Sequence, residues 1–392
     1  MNDSSRAGQL TIGLVAGEVS GDQLGGALIE ALRAALPGAR FVGLTGEHMR
    51  AAGCESLGSC DELAVMGLVE PLRHLPRLLK LRSRLRRELL ARRIDVFVGV
   101  DAPAFNLGLA RWLKSRGIPT AQYVSPQVWA WRAGRIPGIA RSVDAVLCLL
   151  PFEPRCYEGH PVRAPFVGHP LADRIPLESG REAARAALGF APDECVVAVL
   201  PGSRRGEVSR LGEDFAAACT ALASRTGRPV KFIAPMASPG VAKIFEAQVT
   251  KARASIRLLD QQADLALAAA DVALLASGTA TLQAMLHGCP MVVAYRLAGL
   301  TAFLARDMGL VKLKVFSLPN LLAGEPLVPE FFQEAVTPAA LAQSLADLLH
   351  DDARRALLRS RFSALHRELR QDSARKAAQV VMELAGGMRS GR

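Results

Sequence analysis

The chain has 392 residues, half of them hydrophobic and 5% aromatic, with a formal net charge of +11. That length suits two α/β domains of roughly 150–200 residues each, and the Ala/Leu/Val-rich content suits helices packed on parallel strands. The basic excess points to an anionic partner, whether nucleic acid, a phosphorylated ligand or a membrane surface, while 7 scattered cysteines with no C-x-x-C argue against a disulfide framework and for reduced core residues.

The N-terminal MNDSSRAG carries an acid and leads into LTIGLVAG, too short for an export signal and read as a first strand. Apolar runs then predict strands at 10–16, 40–44, 95–100, 120–124, 145–149 and 165–167. In the second half they fall at 195–200, 229–234, 255–259, 272–275 and 291–294. Helical patterns lie between them, for example at 23–35, 215–225 and 280–286, and such alternation implies parallel sheets covered on both faces. The segment GHPLADRIPLESG, residues 168–180, is the best linker, and Thr337-Pro338 open a helical tail that runs to about residue 384. The division expected is 1–170, a linker at 171–184, 185–340, and C-terminal helices at 341–392. No run reaches the ~18 apolar residues of a spanning helix, because the longest, 265–280, is interrupted by Asp271, Ser277 and Gly278.

Ligands of open α/β sheets bind at the carboxyl ends of strands, and the distinctive motifs lie there. AGEVSGD (16–22) is a glycine-containing turn in which Ser20 or Asp22 caps the next helix, or in which Glu18 and Asp22 present two carboxylates. VGVDAPAFN (98–106) ends an apolar strand with Asp101, a general base for a hydroxyl or an Asx turn before Pro103. YVSPQVWAWR (123–132) holds two of the three tryptophans, as packing or as a stacking or acyl-binding surface. LPGSRRGEV (200–208) offers the N–H groups of Gly202 and Ser203 and a guanidinium at Arg204 or Arg205, without the P-loop pattern. ASGTAT (276–281) turns through Ser277, Gly278 and Thr279 into a helix start, an anion-binding arrangement. SLPNLL (317–322) places Asn320 in a loop. There is no D-x-D or H-E-x-x-H, and the histidines are dispersed, so no metal or other cofactor is expected.

The ordered set AGEVSGD, DAPAFN, YVSPQVWAWR, LPFE (150–153), VGHPL, LPGSRRGEV, ASGTATLQAML and SLPNLLAG resembles the bacterial lipid-A-disaccharide synthase family over residues 12–348. The resemblance implies two doubly wound Rossmann-like domains facing a cleft, the GT-B type of glycosyltransferase. It implies transfer from UDP-2,3-diacylglucosamine to 2,3-diacylglucosamine 1-phosphate (lipid X) through a β-1,6 bond, with release of UDP. By resemblance Asp101 is the base, Arg204 the essential arginine and Asn320 the SLPN asparagine, while Glu18 and Asp22 form the N-terminal acidic motif. Gln283 departs from the family, which usually has Glu there, a residue that in GT-B enzymes commonly meets the ribose.

The expected mechanism is metal-free inversion. Arg204, Gly202, Ser203 and the Ser277–Thr279 turn hold the diphosphate with Gln283 and Asn320 on the donor; Asp101 deprotonates the acceptor hydroxyl; Glu18, Ser20, Asp22 and Asn106 serve the acceptor or tune Asp101. A basic amphipathic stretch at 69–93 carries nine Lys or Arg between Arg73 and Arg93 against Glu88, with leucine stripes at 68/72/75/79 and 78/81/85/89. It reads as an interfacial helix beginning after Pro76, or as a surface helix packed on its own sheet. The first reading places the protein in the cytoplasm, peripherally on the anionic inner-membrane surface. The oligomeric state stays open, a homodimer included. Competing readings are a UDP-sugar epimerase or hydrolase of the same fold, and a basic nucleic-acid-binding protein. Against the latter, the basic cluster lacks interleaved aromatics and no nucleic-acid module is present, so no nucleic-acid partner is expected.

Overall fold

The computed structural model describes residues 10–64, 71–131, 133–178, 180–297 and 315–387. The chain forms two compact units, 1–173 with 369–392, and 174–368. In the first, β1 (Thr11–Ala16), β2 (Arg40–Thr45), β3 (Glu55–Ser59), β4 (Val96–Val100), β5 (Thr120–Tyr123) and β6 (Ala145–Leu147) form a parallel sheet in the order β3-β2-β1-β4-β5-β6. In the second, β7 (Cys195–Leu200), β8 (Val230–Met236), β9 (Ile256–Asp260), β10 (Val272–Ala276), β11 (Met291–Tyr295) and β12 (Glu330–Phe332) are likewise parallel, in the order β12-β11-β10-β7-β8-β9. Read from β9, that is the same winding. Central strands such as β4 and β10 are buried along their whole length, because helices cover both faces and leave no polar side for alternation.

This winding has one topological switch point per sheet, between β1 and β4 and between β7 and β10. A ligand crevice opens at such a reversal, outside the carboxyl ends of the strands. The turns that follow these four strands begin at Gly17, Asp101, Pro201 and Ser277, and they carry four of the motifs.

The sequence boundaries shift in informative ways. The first helix is Glu18–Ala35 rather than 23–35, because Gly17 and Gly21 let its first turn approach the end of β4. A Cβ on Gly17 would lie 2.5 Å from the Ala102 Cβ. The segment 165–167 makes only an isolated bridge, Cys148 to Phe166, not a strand. The 171–184 stretch overlaps the Pro170–Arg174 helix and the start of the Arg181–Leu188 helix, and the passage between units falls at 173/174. Of the helical tail, Pro338–His350 belongs to the second unit, whereas Ser373–Gly387 packs on the first sheet. There Ala377, Ala378, Val381 and Ala385 join the core of Leu28, Val98 and Tyr123. The Asp173 carboxylate caps this last helix, accepting the N–H groups of Gln371, Asp372 and Ser373 at 3.0, 2.9 and 2.7 Å.

Candidate active site

In the first unit the switch point is conformationally strained. Glu18, Asp101, Ala102 and Val124 all have left-handed backbones, with φ of 65°, 53°, 40° and 77°. Such a conformation costs a non-glycine residue about 1–3 kcal/mol and is most unfavourable for a β-branched valine. Two buried amides hold it. Asn106 Nδ2 donates to the carbonyls of Asp101 (2.8 Å), Val15 (3.1 Å) and Val100 (3.4 Å). Gln122 Nε2 donates to the carbonyls of Asp101 (2.9 Å), Tyr123 (3.3 Å) and Val124 (3.4 Å). The strands β1, β4 and β5 are thereby tied at the peptide that aims Asp101. Burial raises the proton affinity of the Asp101 carboxyl; the Ala102 N–H opposes this, and the neighbouring Glu18 charge adds to it. A carboxylate of raised pKa at a strand's carboxyl end suits general-base work.

Of the other residues expected here, Glu18 and Ser20 are exposed on the first helical turn. Asp22 is buried and caps the Glu47–Ala51 helix, accepting from the backbone of Gly46 (2.6 Å), His48 (2.8 Å) and Met49 (3.1 Å). Asn106 is fully buried. Asp22 and Asn106 are therefore engaged in hydrogen bonds within the fold. After β5 and β6 the aromatic motifs meet: Trp129 packs edge-on against Phe152 at 5.4 Å, and Ser125 and Tyr157 hydroxyls lie 2.8 Å apart. Glu153 beneath them accepts the N–H groups of Leu149 (2.9 Å) and Leu150 (3.0 Å), yet burial dominates and pushes its pKa up to about 7.

In the second unit, Arg204 is the N-cap residue of the Arg205–Ala223 helix, its side chain 74% exposed. The preceding Gly202 has φ 133°, and a Cβ there would strike Glu207 at 2.6 Å. Glu207 Oε2 accepts the N–H groups of Ser203 (3.1 Å) and Arg204 (3.3 Å), and its Oε1 lies 3.4 Å from the Arg204 guanidinium. The turn thus holds an anionic group already, the chain's own carboxylate. At the end of β10, Gly278 (φ 154°) lets the chain turn directly into the Thr279–Leu286 helix, with Thr281 Oγ1 donating to the Gly278 carbonyl at 2.8 Å. Gly278 and Thr279 are exposed and Ser277 is half-buried. The first backbone N–H groups of a helix have no intrahelical partner and favour an anion.

Asn320 and Gln283 are both hydrogen-bonded within the second unit. Asn320 is fully buried, donating to the Val328 carbonyl (2.9 Å) and Glu330 Oε1 (2.8 Å) and accepting from the N–H groups of Leu327 and Val328 (both 2.8 Å). It pins a loop to its helix. Gln283 Nε2 donates to Asp264 Oδ1 at 2.5 Å, beside His287 at 2.9 Å and Arg174 at 3.2 Å. These partners, His287 foremost, lower the Asp264 pKa to about 2. Gln283→Glu would set one carboxylate against another. We expect this variant to melt ~2–4 °C lower at neutral pH, as about 1 kcal/mol does for a domain of this size. The deficit should shrink as the pH falls and one of the pair takes a proton. A variant as stable as the wild type across that range would show that Gln283 and Asp264 do not interact.

The basic segment forms one helix, Pro71–Ala91, that runs through Pro76, since a proline near the helix start removes a single backbone bond. Leu81, Leu85 and Leu89 are buried in the core with Phe105 and Leu109, so that stripe packs on its own sheet. Leu68 and the side chains of Leu72 and Leu75 lie outside the described residues. Arg82 stacks on Phe105 (5.0 Å to the ring centre) and Arg86 on Trp112 (4.9 Å), while Arg84 pairs with Glu62 at 2.8 Å. The outward face presents Arg77, Lys80 and Arg87 with Leu79 and Leu90.

Gln122, Glu207, Asp264 and Glu153 were not singled out from sequence. Gln122, an amide inside the buried run TAQY, Glu207, an acid in a first helical turn, and Glu153, the last residue of LPFE, left a local signal. Several solved glycosyltransferases share the fold: Acinetobacter baumannii MurG (15% identity, 96% of this chain and 99% of that one, TM-score 0.56) and the glycosyltransferase of kitacinnamycin (19%, 96% and 99%, TM-score 0.60). Among curated relatives, lipid-A-disaccharide synthase of Alkalilimnicola ehrlichii is 52% identical over 96% of this chain and 99% of its own, and that of Azotobacter vinelandii 49% over 97% and 99%. The corresponding protein of Xanthomonas campestris is 51% identical over 95% and 86%. The family model described as lipid-A-disaccharide synthetase matches residues 12–383. With this fold, these switch-point turns and these relatives, the chain belongs to the lipid-A-disaccharide synthase family of glycosyltransferases.

Proposed function

We propose that the protein transfers the sugar of UDP-2,3-diacylglucosamine to the 6-hydroxyl of 2,3-diacylglucosamine 1-phosphate, with inversion and without a metal or other cofactor, releasing UDP. The observation that carries this reading is the strained cradle around Asp101, a partly buried carboxylate of raised proton affinity at the first switch point. Asp101 takes the acceptor proton as the oxygen attacks the anomeric carbon, while Glu18 tunes its charge and Ser20 contacts the acceptor. Asn106, Gln122 and Asp22 position this end of the unit. Negative charge growing on the leaving diphosphate is met by Arg204, by the backbone of Gly202 and Ser203, and by the Ser277–Gly278–Thr279 turn. These are preorganised donors of the kind that dominate such catalysis. Gln283 and Asn320 act as positioning residues of the donor side. Incubating the protein with both substrates and weighing the product tests the reading. A disaccharide 1-phosphate formed only with both supports it, whereas UDP release independent of any acceptor would mark an epimerase or hydrolase.

The acceptor has two acyl chains and resides in a membrane, and in this reading the outward face of the Pro71–Ala91 helix rests on an anionic leaflet. Each basic residue near such a surface contributes roughly 1 kcal/mol before screening. Because Arg82, Arg84 and Arg86 are engaged within the unit, the informative variant is Arg77→Ser, Lys80→Ser and Arg87→Ser together. We expect wild-type protein to sediment with anionic but not neutral vesicles, salt to release it, and the triple variant to bind several-fold less. Equal binding to both vesicle types would remove the membrane role.

A further inference from the structure

The second unit contains a cavity of about 190 Å³ that the donor chemistry does not use. It lies among the start of the Arg181–Leu188 helix, the end of the Thr279–Leu286 helix and the flank of the Asp352–Leu369 helix. Asp271, which binds Arg181 beside it, immediately precedes β10. The cavity is therefore at the amino ends of the strands, opposite the turns of Arg204 and Gly278. One side is polar, with Arg181, Arg359, His287 and Ser363; the other is apolar, with Leu177 and Ala268 at the surface and Met285 and Leu286 buried behind them.

The charges around it do not balance. The Asp271 carboxylate is shared by Arg181 (2.5 Å) and Arg185 (2.9 Å) and also accepts the Val196 N–H at 2.9 Å. Arg355 is satisfied by the carbonyls of Leu348 and Leu349 and by Asp352. Arg359, exposed at the rim of the cavity that Arg181 also lines, has no hydrogen bond or ion pair among the described residues. Desolvation and then the Arg181 charge lower its proton affinity; Arg355 adds to this, and Cys289 and Asp271 oppose it. His287 closes the wall with Nε2 on Asp264. A guanidinium without a partner, next to another, matches the oxygens of a phosphate, which accepts two parallel bonds from each fork. At roughly 30 Å³ per water in the liquid, the space exceeds the needs of a bare phosphate group, and its apolar side suits carbon.

We propose that this cavity is a second anion site, separate from the donor site, which takes a small phosphomonoester with its phosphate on Arg359 and Arg181 and its organic part on Leu177 and Ala268.

Calorimetric titration of the full-length protein carrying Arg204→Ala, which silences the proposed diphosphate site, isolates this one. Inorganic phosphate is expected to bind with unit stoichiometry at constant ionic strength, and n-butyl phosphate to bind more tightly. Adding Arg359→Gln should weaken both by about tenfold or more, the usual effect of losing a charge-assisted bond. Arg359→Lys, which keeps the charge but not the fork, should fall between. With Arg204 intact, Arg359→Gln should keep the wild-type melting temperature in phosphate-free buffer, its transferase rate and its vesicle binding. Phosphate binding unchanged by Arg359→Gln would overturn the site. Equal affinity for the two phosphates would overturn its apolar half. Loss of vesicle binding in Arg359→Gln would reassign the residue to a lipid headgroup and overturn the soluble ligand.

Discussion

Arg204→Ala is expected to lower the rate of glycosyl transfer by about 10²–10³ with the fold intact, the usual loss when one preorganised donor to a developing charge is removed. The side chain is 74% exposed, so its removal leaves no cavity, and its contact with Glu207 is a long one of 3.4 Å at the surface, worth little to stability. The effect therefore belongs to the reaction. Arg204→Lys should recover only part of the rate, because an ammonium supplies charge without the planar fork. Glu207 sharpens the point: its carboxylate rests on the N–H groups of Ser203 and Arg204, so an incoming phosphate has to displace it or rely on the guanidinium alone. Turnover of the alanine variant within about threefold of wild type would end the leaving-group role of this turn, since the donor effect is at least tenfold larger.

Asp101→Asn should reduce kcat/KM by about 10²–10⁴, the range of general-base catalysis, while UDP binding is retained and the melting temperature does not fall. Burial raises the pKa of this carboxyl, so the folded state favours its protonated form. Ionised Asp101 thus costs stability in full above its folded pKa, and that cost shrinks as the pH falls through the folded value and is gone below the unfolded one. Asparagine removes the charge and tolerates the left-handed backbone. Wild-type activity should be lost as the pH drops through a pKa above the usual carboxylate range, because the base must be ionised. Gln122→Met, which deletes one of the two donors to the Asp101 carbonyl, should lower kcat with KM for the sugar nucleotide unchanged. If Asp101→Asn stays active while Glu18→Gln does not, the base is Glu18.

Ten strands announce themselves in the sequence, among them CVVAVL and VALLA, because strands buried on both faces are nearly uninterrupted apolar runs. The two that do not, β3 and β12, are sheet edges. ESLGS is polar with a glycine, and EFF is only three residues long, so neither has a face that demands burial. The motif turns were legible because glycine, proline and charge punctuate the ends of those runs. The duties of their polar residues were not. Asp22 caps a helix that begins 25 residues later, Asn106 and Gln122 converge on one carbonyl from different elements, and Gln283 meets Asp264 across two helices. Those pairings exist only after the sheet order has been set, and no local pattern encodes them.

The return of Ser373–Gly387 to the first sheet has a consequence for how the molecule is made. A nascent chain that has released residues 1–173 still lacks the apolar strip, Ala377 to Ala385, that covers Leu28, Val98 and Tyr123. The first unit to leave the ribosome is thus the last to be completed. It waits with an open hydrophobic face until nearly the whole polypeptide has emerged, and such a face invites aggregation or chaperone capture. A nonsense codon between residues 369 and 373 would spare the second unit and leave the first without its lid.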